Sequence, residues 1–157
     1  MANWRDVADS APEFAQRVQA VFDAHRHKTV ATIRRDGSPR ISGIEATFAD
    51  GELWLGSMAG SRKTNDLRRD PRLALHSASE EPLEEASPTQ GDAKLSGRAV
   101  EVRDPARMKA LGGGEESGDL FRVDIAEVVL TRVGDPPDHL VIELWREGEG
   151  LRQVIRR

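Results

Sequence analysis

Residues 28–57 read KTVATIRRDGSPRISGIEATFADGELWLGS. Apolar and polar residues alternate within KTVATIRR, RISGIEATFA and ELWLGS, the period of strands that bury one face. The intervening DGSP and DG supply the residues that tight hairpin turns need. Three consecutive antiparallel strands follow from this stretch alone.

Moving outward, GSMAGSRKTNDLRRDP at 56–71 reads as a strand end, a small-residue turn, a short helix and a proline stop. RLALHSA at 72–78 and AKLSGRAVEVR at 93–103 are a fourth and a fifth strand, and LFRVDIAEVVLTRV and HLVIELW are the last ones. Between them, the acidic EEPLEEASPTQGD at 80–92 reads as a surface loop. DPARMKAL is a short helix with Asp104 as N-cap and Pro105 at its first position, followed by the glycine-rich loop GGGEESG. Upstream, Ser10 and Glu13 have capping-box spacing, and the apolar residues Phe14, Val18, Val21 and Phe22 recur at helical intervals, so one helix is expected over about 10–27.

About six short strands with hairpin turns, one helix before them and two short helices between them specify a mainly β protein, a small antiparallel barrel. No βαβ alternation is present, which excludes a parallel nucleotide-binding sheet. The 157 residues are read as one domain: helical N-terminus about 10–27, barrel about 28–146, and a tail or short edge strand over 147–157. There is no cysteine, hence no disulfide framework or thiolate chemistry. The net charge of −4 argues against non-specific nucleic-acid binding. No apolar run has the length of a membrane span, and MANWRDVADSAPEF has no leader pattern, so a cytoplasmic protein is expected.

The chemistry-bearing candidate is GSMAGSRKT. It is not a P-loop, because Arg62 rather than glycine precedes Lys63, and only three residues separate Gly56 from Gly60. It does place Ser61 as an N-cap, Gly60 in a turn, and two cations on the positive end of a helix, an arrangement suited to an anion. The alternative is a solvated pair offset by Asp66 and Asp70. Gly43, inside a β-prone run, marks a barrel bend or the approach of a flat ligand, to which Arg40 and Ser42 could donate hydrogen bonds. His76 and His139 lack partners at metal-ligand spacing, and Glu45 is a lone strand carboxylate, so no metal site and no catalytic side chain is assigned. An enzyme of this kind would rely on a cofactor.

TVATIRRDGSPRISGI, DGELWLGS and SRKTNDLRRDPRLAL together resemble the split-barrel flavin-binding family that includes pyridoxamine 5′-phosphate oxidase and its deazaflavin-using relatives. The resemblance spans roughly residues 15–146 and implies a six-stranded antiparallel Greek-key split barrel. It implies that Arg40, Ile41, Ser42 and Gly43 line the ring and ribityl chain, with Gly56 and Ser57 adding contacts. Ser61, Arg62 and Lys63 would hold the cofactor phosphate. It further implies FMN or coenzyme F420 as cofactor, a homodimer with cofactor at the subunit interface, and hydride transfer to a small organic acceptor. In the deazaflavin branch, Arg68, Arg69 and Arg72 would meet a polyglutamate tail. Vitamin oxidation itself is not expected, since no histidine follows His139. A flavin- or haem-binding carrier without turnover, or an interaction module that has lost its cofactor, are the competing classes. Substrate-facing residues are expected in loops 78–92 and 112–119.

Overall fold

The computed structural model describes residues 1–80, 91–111 and 118–157. The loops expected at 80–92 and 112–118 fall largely outside them. Four helices and eight strands follow in chain order: α1 (Trp4–Ser10), α2 (Pro12–Asp23), β1 (His27–Ile33), β2 (Pro39–Ala49), β3 (Glu52–Ser57), α3 (Arg62–Arg69), β4 (Arg72–His76), β5 (Asp92–Glu101), α4 (Pro105–Leu111), β6 (Asp119–Val133), β7 (Leu140–Arg146) and β8 (Gly150–Arg156).

The strands form one antiparallel sheet in the order β3-β2-β1-β4-β5-β6-β7-β8, and pairing of β3 with β6 closes its first six members into a barrel. Alternate residues point inward, so Val30, Ile44, Leu53, Leu55, Leu75 and Ile125 meet in the core. α3 carries the chain from the end of β3 to β4, which lies beside β1. β7 and β8 continue the sheet beyond the barrel. Most of the stretch 147–157 is therefore an edge strand, β8 (Gly150–Arg156), rather than a loose tail.

Two strands change neighbours along their length. β6 pairs with β3 over Asp119–Arg122 and with β7 over Glu127–Val133. β2 pairs with β1 over Pro39–Glu45 and with β3 over Glu45–Ala49. Hence the β3-facing edge of residues 39–44 has no partner strand among the described residues.

The N-terminus departs from the single helix expected. α1 is capped by a reciprocal pair, Asn3 with Asp6, and α2 starts separately. Pro12 disfavours helical geometry at the preceding residue, and Ala11 sits at φ −146°, ψ 73°. Ser10 is not a cap, since its Oγ accepts from Trp145 Nε1 at 3.0 Å. α2 ends at Asp23, and His27 is already in β1, opposite Glu45. Phe14, Val18 and Phe22 are buried as the spacing requires, and Phe48 of β2 packs against Trp4 and Phe22 with ring centroids 4.6 and 5.9 Å away. Full burial of each such side chain is worth about 1.5–3 kcal/mol. No helix among the described residues is long and apolar enough to cross a membrane.

Candidate functional site

Two segments are tied together at two points. One is the β2 segment 40–45; the other runs from the end of β3 through a turn into α3. They are joined at one end by the pairing of Glu45 with Gly56. At the other end Arg40 Nε donates to Asp66 Oδ2 at 2.7 Å. Arg40, Ile41, Ser42 and Gly43 lie on one side of this frame and Gly56, Ser57, Ser61, Arg62 and Lys63 on the other. The nine residues singled out in the sequence thus lie on β2 and on the β3–α3 segment, which Glu45–Gly56 and Arg40–Asp66 tie together.

On the β2 side the unpaired edge matters most. In an antiparallel strand alternate residues turn both N–H and C=O to the same edge, so 39–44 offers backbone donors and acceptors that no neighbouring strand uses. Gly43 is not a bulge in the β1–β2 pairing. It pairs in register with Thr29, and an added Cβ would meet nothing within 4 Å. The irregularity lies instead between Ser96 and Gly97 on β5, where a Cβ on Gly97 would sit 2.0 Å from the Asp124 carbonyl oxygen. The side chains of 40–43 alternate between faces: Ile41 is 74% exposed, whereas Arg40 turns toward α3.

Facing them is the turn after β3. Gly60 adopts φ +69°, a conformation that favours glycine. Its N–H donates to Asp119 Oδ2 at 2.9 Å, as does the Thr64 hydroxyl. Ser61 occupies the N-cap of α3, but its side chain makes no capping bond; its Oγ lies 3.0 Å from Ser57 Oγ and also meets Thr64. The first-turn N–H groups of α3 thus have no side-chain cap. Arg62 is exposed and Lys63 half-buried, and among the described residues neither has an ion pair or side-chain hydrogen bond.

The remaining charges hold the frame. Asp66, 3% exposed, accepts from Thr32 Oγ1 at 2.8 Å, from Arg40 at 2.7 Å and from Arg69 at 2.9 Å. Burial alone would raise its pKa, but these donors outweigh it and hold the carboxyl down to about 2. This knot fixes the middle of α3 against β1 and β2. Asp119, opposite Ser57 in the register, is treated alike: burial opposes ionisation, while Gly60 N–H, Thr64 and Arg68 hold its pKa below the ordinary value. Arg68 bridges Glu101 and Asp119, and Arg72 pairs with Asp70. Asp66 and Asp70 therefore offset other cations, not Arg62 and Lys63.

At the end of the frame, Glu45 Oε1 accepts from Arg26 Nε. His76 Nδ1 meets the Ser77 carbonyl, and His139 Nδ1 meets Asp138. No group of three metal-ligating side chains occurs among the described residues. A groove of about 420 Å³ between α1 and α2, lined by residues that include Trp4, Ala8, Gln19 and Asp23, contains none of the frame residues. Thr32, Asp66, Glu101 and Asp119 escaped the sequence reading as site residues. An acidic residue three before Arg69 in a short helix was the one local signal, for Asp66.

The sequence profile of the pyridoxamine 5′-phosphate oxidase family matches residues 14–133. The chain belongs to that family. No curated protein sequence matches it. Among solved structures, one similar fold is a pyridoxamine 5′-phosphate oxidase-related, FMN-binding protein from Nostoc punctiforme, at 12% identity over all of this chain and 98% of that one, TM-score 0.63. A conserved hypothetical protein from Mycobacterium tuberculosis is 22% identical over 82% of this chain and 88% of its own, TM-score 0.57. An F420 reductase is 13% identical over 70% and 94%, TM-score 0.51. At these identities the likeness to these three proteins is one of fold.

Proposed function

We propose that the chain is an oxidoreductase that moves a hydride between a reduced flavin or deazaflavin, FMN or coenzyme F420, and a small organic acceptor. The observation that carries this reading is the pairing, in one frame, of a strand edge and two cations that have no partner strand and no counter-charges among the described residues. A ring bearing amide-like donors and acceptors matches the edge at 40–44, and a phosphate matches Arg62, Lys63 and the uncapped start of α3. The open space beyond Gly43 leaves room for a flat group. The residues present fit such a cofactor, which would supply the hydride chemistry when bound. The chain's own part is to bind and orient it: Ser57 and Ser61 offer hydroxyls beside the phosphate, and the Asp66 knot keeps α3 in position.

Homodimerisation with cofactor at the subunit interface belongs to the same proposal. Ile41, 74% exposed beside Gly43, is a large apolar side chain that a second copy would cover. A cytoplasmic location is likewise part of it. A ring-binding carrier without turnover is the competing reading, and the same frame would serve it.

Lys63→Ala decides the central point. The native chain should bind FMN at least about tenfold tighter than riboflavin, and the variant should lose most of that difference, since one charge-assisted contact is worth about 1.5–3 kcal/mol. Equal affinity for FMN and riboflavin in the native chain would overturn the phosphate assignment. Reoxidation of the reduced, bound cofactor by a quinone acceptor then separates enzyme from carrier.

A further inference from the structure

We infer that this site selects a ring cofactor that ends in a single phosphate and gives no purchase to an anionic tail extending beyond it. The inference rests on the phosphate assignment above and addresses which cofactor fills it. The sequence offers α3 and its flank as a basic strip, with Arg68, Arg69 and Arg72 following Arg62 and Lys63. The structure spends those three arginines internally. Arg68 Nη2 lies 2.7 Å from Glu101 and 2.8 Å from Asp119. Arg69 is 2.9 Å from Asp66 and also donates to the Ile33 carbonyl at 2.6 Å. Arg72 holds both carboxylate oxygens of Asp70, Oδ1 at 3.1 Å and Oδ2 at 2.7 Å.

Charge bookkeeping makes the point sharper. Around α3, Arg40, Arg68, Arg69 and Arg72 are matched by Asp66, Asp70, Glu101 and Asp119 in ion pairs of 2.7–2.9 Å. On α3 itself, Arg62 and Lys63 are left without an ion pair among the described residues. Their combined charge equals that of one phosphate monoester dianion, such as the phosphate of FMN. A string of glutamates, the tail of coenzyme F420, would run beyond them along arginines that are already neutralised. Each tail carboxylate that approached Arg72 would also approach Asp70, and one that approached Arg68 would meet Asp119 and Glu101. The four acids stay ionised at neutral pH, since each titrates below its ordinary value. Arg98 stands opposite Arg72 and Arg103 shares Glu101 at 3.4 Å, but the three arginines that follow the first turn of α3 each meet an incoming anion already paired, which weakens their pull on it.

The test is a set of binding titrations at low ionic strength with FMN, with F420 carrying its oligoglutamate tail, and with the same deazaflavin phosphodiester lacking glutamates. The native chain and the variants Arg72→Ala and Asp70→Asn are compared. Expected are affinities for the tailed and tail-less deazaflavins within about threefold of each other and no effect of Arg72→Ala on either. Asp70→Asn, which frees Arg72, should improve the tailed form alone. A tailed form bound about tenfold or more tighter than the tail-less one, with the advantage lost in Arg72→Ala, would overturn the inference while leaving the phosphate site standing if FMN binding still depends on Lys63. Failure of every ring compound to bind would remove the functional proposal and this inference together.

Discussion

Replacing Asp66 by asparagine keeps the shape of the side chain and removes the charge on which the frame is built. Asp66 titrates at about 2 instead of 3.8. At about 1.4 kcal/mol per pKa unit, this difference represents roughly 2 kcal/mol of folding stability at neutral pH. The variant also leaves Arg40, 19% exposed, beside a neutral amide. A loss of about 2–3 kcal/mol is therefore expected at pH 7 by equilibrium unfolding in urea. The pH dependence has a definite sign. A carboxyl whose pKa is depressed by folding contributes its full stabilisation above the unfolded value of 3.8, and loses it as pH falls toward the folded value of about 2. Roughly half of the charge-dependent part, about 1 kcal/mol, should be gone at pH 3. The measurement is the stability difference between native chain and variant at pH 7 and at pH 3, which cancels the titration of every other group. A variant within about 0.5 kcal/mol of the native chain at pH 7, or a difference that does not shrink at pH 3, would refute the role given to this carboxylate.

Two substitutions of glycine should behave oppositely. Gly43→Val enters open space on a strand, so stability should stay within about 0.5 kcal/mol while FMN affinity falls about tenfold or more, because the new side chain stands where the ring approaches. A variant that binds FMN as the native chain does would remove Gly43 from the site. Gly97→Ala forces a Cβ against the Asp124 carbonyl oxygen, and thermal unfolding should report a loss of about 2 kcal/mol or more; an unchanged midpoint would mean that the β5–β6 bulge yields freely.

The barrel was legible because its signals are local. Alternation in residues 28–57 and the DG turns specify β1, β2 and β3, and the helix with its proline stop specifies α3. The double helix at the N-terminus was not, since Ser10–Glu13 satisfies the spacing of a capping box while its hydroxyl is claimed by Trp145, 135 residues away. The same limit applies to the site. The nine candidate residues lie in two nearby stretches and are recognisable by type. The carboxylates that decide which cations remain available are not: Glu101 and Asp119 come from β5 and β6, and nothing near Arg68 in sequence announces them. Charge partners chosen from neighbouring residues gave Asp66 and Asp70 to the wrong cations.

β8 has a colloidal consequence. It ends the sheet with a seven-residue strand whose outer edge has no partner among the described residues, and Leu151, Val154 and Ile155 are each more than 40% exposed on it. Such a ribbon is a template for a second ribbon. Arg152, Arg156 and Arg157 are interleaved with these apolar residues, so two copies aligned edge to edge would bring like charges together. The strand thus carries both the attraction and its guard, and ionic strength sets the balance: salt that screens the arginines leaves the apolar side chains unchanged.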